Sequence, residues 1–433
     1  MRKNRGACAG VLFSIFVGIA TAAAQDVIAP APALSVAPAA VQENQYDSPM
    51  QVFIPSGAGL GTTTEPFRYG SLVIRPHVLY RFLYGMGISS SPGQQQNTII
   101  QQVSPGVMFD LGDHWSLDYT PTLSFYSSSD LRDTLDHSVQ LGWGTACGNW
   151  FLHASQGFSI SSDPQVETAA QTDQQNYSTA LSATYQFNDK MSVDIGLDQS
   201  FSYISNGQIS TNSTYLIPLS SSRGWSTMDW FNYAFWPWLD TGIGAGFGYN
   251  QQDNSPDTYY EQYQARIRWR LTEKISLQLN GGLQDQQYSS GGAGDLVTPV
   301  MGASVQYQPF QQTQLSLSAS RALSPSAFQS QSSESTSISV DLNQRLLGKL
   351  FLDIGAGYGF TQYSSTSDAN SASRSDDYYS FNTRLSCKFP KRGTISVFYQ
   401  YSDNSSSQSD FLSSGSTFSY SSSQIGVELG YQY

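Results

Sequence analysis

The chain has 433 residues and carries 21 Lys and Arg against 33 Asp and Glu, a formal net charge of −12. With no basic run to release phosphate counterions, a nucleic-acid partner is excluded. Four histidines (His77, His114, His137, His153) and three cysteines form no HExxH, no metal-ligand spacing and no phosphate-cradling Gly loop, so neither a metal nor a cofactor is expected.

At the N-terminus, Arg2, Lys3 and Arg5 precede an apolar stretch at 10–20 that is too short to span a bilayer, and Ala22-Ala23-Ala24 supplies a small-residue cleavage site. Residues 1–24 therefore read as a signal peptide. The small-residue end weighs against the alternative, an uncleaved anchor helix. Cys8 lies ahead of the apolar stretch and so is no lipid-attachment site. Cleavage would remove three positive charges and no acids, taking the net charge from −12 to −15. Residues 25–70 are Ala- and Pro-rich and then Gly- and Thr-rich, the composition of an extended periplasmic linker without a core of its own.

From residue 71 to 433 apolar and polar residues alternate in segments of about ten, the mark of a strand with two unlike faces. Leu72, Ile74, Val78, Tyr80 and Phe82 oppose Ser71, Arg75, His77 and Arg81. Likewise Tyr263, Ala265, Ile267, Trp269 and Leu271 oppose Gln262, Gln264, Arg266, Arg268 and Arg270. A helix would repeat at three and four instead. No run reaches the roughly 18 apolar residues of a membrane helix, because the apolar residues are dispersed by alternation.

Eighteen such strands are expected, with sixteen as the alternative. They begin near Ser71, Asn97, Trp115, Thr134, Trp150, Asn176, Lys190, Arg223 and Leu239. The second nine begin near Tyr259, Ile275, Thr298, Thr313, Thr336, Leu350, Asp377, Thr394 and Thr417. Short turns follow the even strands, as at Gly112-Asp113, Asn188-Asp189 and Gly348-Lys349, and longer Ser-, Gln- and Asn-rich loops follow the odd ones. That asymmetry belongs to an all-β, up-and-down antiparallel transmembrane barrel with its short turns in the periplasm. Cys147 falls at a turn and Cys387 on a strand, and a disulfide between them is an open alternative.

Charge placement separates a membrane barrel from a soluble sandwich or β-helix. Arg75, Arg81, Asp110, Asp118, Asp194, Asp198, Asp240, Arg266, Arg268, Arg270, Asp341, Arg345, Asp353, Arg384 and Glu428 all fall on the polar face. Charge facing lipid at mid-depth costs about 2–4 kcal/mol for Arg or Lys, so a bilayer would impose this pattern. Asp229 and Arg321 break it, at a bulge or near a rim. Trp225, Trp236, Trp238, Tyr399 and Tyr401 cluster near strand ends, as interfacial girdles do.

The last strand, IGVELGYQY, puts Val427, Leu429, Tyr431 and Tyr433 on one face and ends on an aromatic residue. It resembles the signature by which the assembly machinery of outer-membrane barrels recognises its clients, with Glu428 where Gly is usual. Together with the opening RPHVLYRFLYG, residues 71–433 resemble the porin-like β-barrel families of Gram-negative bacteria, one branch of which is linked to exopolysaccharide export. The resemblance implies an outer-membrane protein embedded in lipid and inserted by that machinery. A barrel of about 16–18 strands with a polar interior leaves an aqueous channel, so passive passage of polar solutes such as sugars or ions is expected. The pore-lining residues would be Arg75, Arg81, Asp110, Asp118, Asp194, Asp198, Arg266, Arg268, Arg270, Asp341, Arg345, Asp353 and Arg384.

Arg266, Arg268 and Arg270 form a ladder facing rows of Asp, which would set a transverse field and tune ion selectivity. Phe151, Trp230 and Phe398 could offer stacking surfaces to sugars. Glycines 242, 244, 246 and 248, and again 355, 357 and 359, share a polar face. They either leave space for a solute or an in-folded loop, or relieve crowding on a curved wall.

An envelope or exopolysaccharide-export barrel working with periplasmic partners is the alternative function. A third reading comes from His153-Ala154-Ser155-Gln156-Gly157, which is similar to the His-x-Ser-Asn-Gly run of outer-membrane phospholipase A. That likeness would make Ser155 a nucleophile and His153 its base. Here, however, both fall on the lumen face, and a polar lumen patch is the simpler reading.

Overall fold

The structure, a computed structural model, describes residues 67–112, 114–204, 208–210, 216–289, 294–366, 374–389, 392–408 and 418–432. The signal peptide, nearly all of the linker, Cys8 and Tyr433 lie outside the described residues.

Alternation yields eighteen long strands: β1 Leu72–Ser91, β2 Gln94–Leu111, β3 Trp115–Tyr126, β4 Thr134–Cys147, β5 Trp150–Ser161, β6 Gln174–Asn188, β7 Met191–Ile204, β8 Ser222–Trp236 and β9 Leu239–Gln252. The second half is β10 Thr258–Thr272, β11 Ile275–Tyr288, β12 Leu296–Phe310, β13 Thr313–Pro325, β14 Gln331–Leu346, β15 Leu350–Ser365, β16 Arg374–Lys388, β17 Gly393–Gln408 and β18 Tyr420–Gln432. Each pairs antiparallel with the next, and β18 returns to β1, from His77 opposite Gln432 to Met86 opposite Ser423. The ring is closed, so no edge is left with unsatisfied backbone groups in lipid. Among the described residues there is no helix. Cys387 is a free thiol, so no bridge joins it to Cys147.

Periplasmic turns are tight, with Gly112 and Gly148 at φ of 60° and 63°, where a side chain would be strained. The extracellular side differs from expectation at its first connection. Only Pro92 and Gly93 join β1 to β2, and these strands run to 20 and 18 residues. The Ser- and Gln-rich stretch that reads as loop continues the ladder instead, since polar residues suit both faces of a strand standing above the bilayer. A bulge between Gly85 and Ile88 resets the register of β1. Gly87 makes it possible, with φ of 69° and so little room that a Cβ would lie 2.1 Å from the Ser421 carbonyl oxygen.

The outer wall carries the large exposed apolar side chains, among them Ile243, Phe247, Tyr263, Leu283, Val297 and Met301. Aromatic rows bound it at both ends. Toward the periplasm Trp236 and Trp238 stack at 4.9 Å, and toward the exterior Trp225 and Tyr249 stack at 5.8 Å. Arg321 faces outward near the extracellular end and pairs with outward Glu334, so the rim reading suits it. Asp229 faces outward between the two aromatic rows, without a bulge, and accepts a hydrogen bond from the Gly196 N–H at 3.4 Å. More outward carboxylates than expected stand at the extracellular end, several held by tyrosines. Tyr263 donates to Glu261, Tyr358 to Asp377 and Tyr401 to Asp403.

Candidate functional site, the lumen wall and a lid across its mouth

On the inner face the charged residues turn sideways to one another instead of facing across the pore. Arg266 on β10 lies flat over β9 and reaches Asp194 on β7 and Asn232 on β8. Its guanidinium sits 4.3 Å above the Trp230 ring. The glycines of β9 create that path: a Cβ at Gly242 would lie 2.6 Å from Asn232 Oδ1, and one at Gly244 2.7 Å from the Trp230 ring. At Gly248 it would fall 2.0 Å from the Tyr260 ring. The space these glycines leave is therefore filled by side chains of β8 and β10, neither a solute nor a loop. On β15, Gly355 likewise makes room for Asn382 and Asp341.

The other pairs repeat the theme. Arg268 pairs with Asp240, and Arg75 with Asp110 at 2.8 Å. Asp353 stands opposite Arg384 in the β15–β16 ladder. Glu428 on β18 takes Arg81 of β1 at 2.8 Å and Arg384 of β16 at 3.5 Å, so the residue that departs from the assembly signature is the ion pair at the barrel seam. Thr120 donates to Asp118 at 2.8 Å, and Arg345 donates to the Gly348 carbonyl at 2.8 Å in the turn below. Asp198 and Asp341 share the inner face, and Arg270 is exposed at the periplasmic end. The ladder expected to oppose rows of Asp across the pore is thus corrected. Arg266 and Arg268 are matched by Asp194 and Asp240 in the same stretch of wall, which removes their share of a transverse field and leaves Arg270 as the one rung with no ion pair among the described residues.

Two of the three expected stacking aromatics are covered. Trp230 lies under Arg266, and Phe398, 2% exposed, lies under Arg81 at 5.0 Å. Phe151 remains 48% exposed near the periplasmic end. The inner face is also less uniformly polar than expected, since Leu83, Ile88, Ile100, Leu131 and Phe398 pack together. His153 and Ser155 stand on the inner face of β5, and no hydrogen bond joins them among the described residues.

The feature that sequence reasoning missed lies at the extracellular mouth. Residues 162–173, between β5 and β6, run inward across the opening. Ser89 at the end of β1 donates to the Ala169 carbonyl at 2.7 Å, and Tyr126 donates to Asp163 at 3.2 Å. Arg132 pairs with Asp173. Farther across, Glu167 accepts hydrogen bonds from the Ser326 hydroxyl and from the Ala327 N–H, the latter at 3.0 Å. Ser326 and Ala327 follow β13, eight strands on from β5 in a ring of eighteen, so connections from nearly opposite sides of the ring meet over the mouth.

That far loop is itself anchored. Ser220 donates to the Ala327 carbonyl at 2.8 Å, and Leu219 bridges Phe328. Ala169, Ala170, Leu219, Phe328 and Phe418, from four separate connections, form one buried apolar cluster. Arg374 caps it, 4.1 Å from the Phe418 ring and paired with Asp376.

Burial pushes the Glu167 carboxyl up, against its two hydrogen bonds and the nearby Arg374. Burial does the same to Asp163, against Tyr126 and Arg81. Asp173 stays below its ordinary range: burial pushes it up, but Arg132 and Ser162 outweigh that. Isolated apolar residues in otherwise Ser- and Gln-rich loops were the one sequence signal for this lid.

Residues 250–433 match the family described as Putative beta-barrel porin 2. No curated protein matches the chain in sequence. Among solved structures, the siderophore receptor PirA from Pseudomonas aeruginosa is similar at 10% identity, covering 86% of this chain and 81% of its own, with a TM-score of 0.40. Pseudomonas aeruginosa OccK1 (OpdK) is similar at 11% identity, covering 83% and 99%, with a TM-score of 0.40. Acinetobacter baumannii OccAB4 is similar at 10% identity, covering 83% and 98%, with a TM-score of 0.42.

Proposed function

For this porin-like β-barrel of the Gram-negative outer membrane, we propose passive passage of polar, predominantly uncharged solutes such as sugars. The observation that carries this reading is the pairing of inner-face charge within the wall. What the wall then offers a solute is chiefly Ser, Thr, Gln and Asn, which exchange hydrogen bonds with a hydroxylated molecule at little net cost. An eighteen-strand ring is also wide enough for an aqueous channel. Arg75, Arg81, Asp110, Asp118, Asp194, Asp198, Arg266, Arg268, Arg270, Asp341, Arg345, Asp353 and Arg384 line the pore in this reading. They act more as a zwitterionic wall than as a selectivity filter.

Liposome swelling tests it. Vesicles bearing the refolded protein should swell in isosmotic monosaccharide faster than protein-free vesicles. Equal rates for neutral sugars, alongside ready passage of small ions, would overturn the sugar reading.

The second reading, an envelope or exopolysaccharide-export barrel, draws on the lid, because an export barrel closed at its outer mouth needs a partner to open it. The lipolytic reading finds no nucleophile–base contact at His153 and Ser155 to rest on.

A further inference from the structure

We propose that residues 162–173 are a movable bolt, and that Glu167 seated in the loop after β13 is the latch that holds the extracellular mouth shut. The proposal rests on the channel reading and adds its control.

The argument is geometric. The loop is tied on its near side to Tyr126 and Arg132, close to the strands from which it springs. Its far end is held by two hydrogen bonds to one carboxylate, by the Ser89 hydroxyl on the Ala169 carbonyl, and by apolar contact of Ala169 and Ala170 with Leu219, Phe328 and Phe418. The receiving loop is immobilised independently, since Gln252 donates to the Phe328 carbonyl at 3.1 Å and Ser255 accepts from the Ser330 N–H at 2.7 Å. A fixed keeper and a strap reaching it from across the ring make a two-state element.

Backbone strain points the same way. Ala169 and Ser330 hold φ of 49° and 56°, unusual for residues with a side chain, and they sit in the strap and the keeper respectively. Strain of that kind persists only where surrounding contacts enforce it. Releasing the strap would relax Ala169, which is 1% exposed when docked.

Unseating one buried carboxylate with two hydrogen bonds should shift the closed–open balance by about tenfold or more. The test is single-channel recording in planar bilayers of the refolded full chain, each variant first checked for a heat-dependent shift in gel mobility. Wild type should open rarely. Glu167→Ala should raise the open fraction about tenfold, Glu167→Gln should stay at or below the wild-type open fraction because its amide oxygen can still accept, and replacing 164–171 by Gly-Gly should leave the pore open throughout. If the loop-replacement variant folds but does not conduct, the channel reading fails. If wild type conducts as freely as that variant, the bolt fails and the channel stands. If only the loop replacement opens the pore, Glu167 is not the latch and the proposal is overturned.

Discussion

Glu428 shows how one residue can answer to two demands. In an assembly signal a Gly would sit at its position, but on the inner face the side chain closes the ring, accepting Arg81 from β1 at 2.8 Å. Arg81 is 3% exposed and stacked on Phe398, so removing its counter-charge would strand a buried guanidinium. Loss of one member of such a pair costs about 3–5 kcal/mol. Glu428→Ala should therefore lower the denaturant midpoint of the folded barrel strongly, whereas Asp353→Asn, on the same face but away from the seam, should lower it much less. Urea titration followed by gel mobility measures both. Equal midpoints for the two variants would show that the seam gains nothing from its ion pair. Such roles were half legible in the sequence. Alternation put Glu428 and Arg81 on the polar face, but a pairing across 347 positions of chain depends on closure of the ring, which no local pattern encodes.

At the scale of elements, the strands were readable because each follows from local physics: side chains alternate across a strand, and a bilayer penalises polar groups on one side only. The bolt was not readable, because its contacts join residues about 160 positions apart through loops of unremarkable composition. Its titration can be anticipated. Asp163 faces Tyr126 of β3, Asp136 of β4 and Arg81 of β1, while Glu167 faces Ser326, Arg374 and Asp376. Two of the loop's three carboxyls, Asp163 and Glu167, are pushed up by burial when docked and return to about 4 when the loop is free in water, while the single Asp173, held down against burial by Arg132, works in the opposite direction. A docked loop thus holds protons that a released loop gives up. Docking keeps this contribution below about pH 4 and loses it as the pH rises through the raised docked values. Open probability should therefore climb as the pH is raised from acid, and Glu167→Gln should flatten part of the climb. A wild-type record that opens on acidification instead would contradict the assignment.

For the whole molecule, the net charge of −12 taken alone points to a cation-selective pore, since clefts lined by one sign of charge concentrate the opposite ion. Where the charges lie argues otherwise. Glu261, Asp377 and Asp403 face outward at the extracellular end, each beside a tyrosine, where solvent and salt screen them from the pore. On the inner face Arg75, Arg81, Arg266, Arg268 and Arg374 each have a carboxylate partner. Outside these pairs the inner face carries Asp118, Asp198 and Asp341 against Arg270 and Arg345, so the field felt by an ion in the lumen comes from the remainder of the pairs and from these few charges of mixed sign. With the bolt removed, the reversal potential in a salt gradient should accordingly lie near zero. Arg266→Gln then provides the decisive contrast, because it leaves Asp194 unmatched on a wall where Trp230 and Asn232 hold water away. That one change should move the reversal potential toward cation selectivity, most clearly at low salt. A wild-type pore already strongly cation-selective, and indifferent to Arg266→Gln, would mean that the outward and loop carboxylates govern permeation and that the paired wall does not.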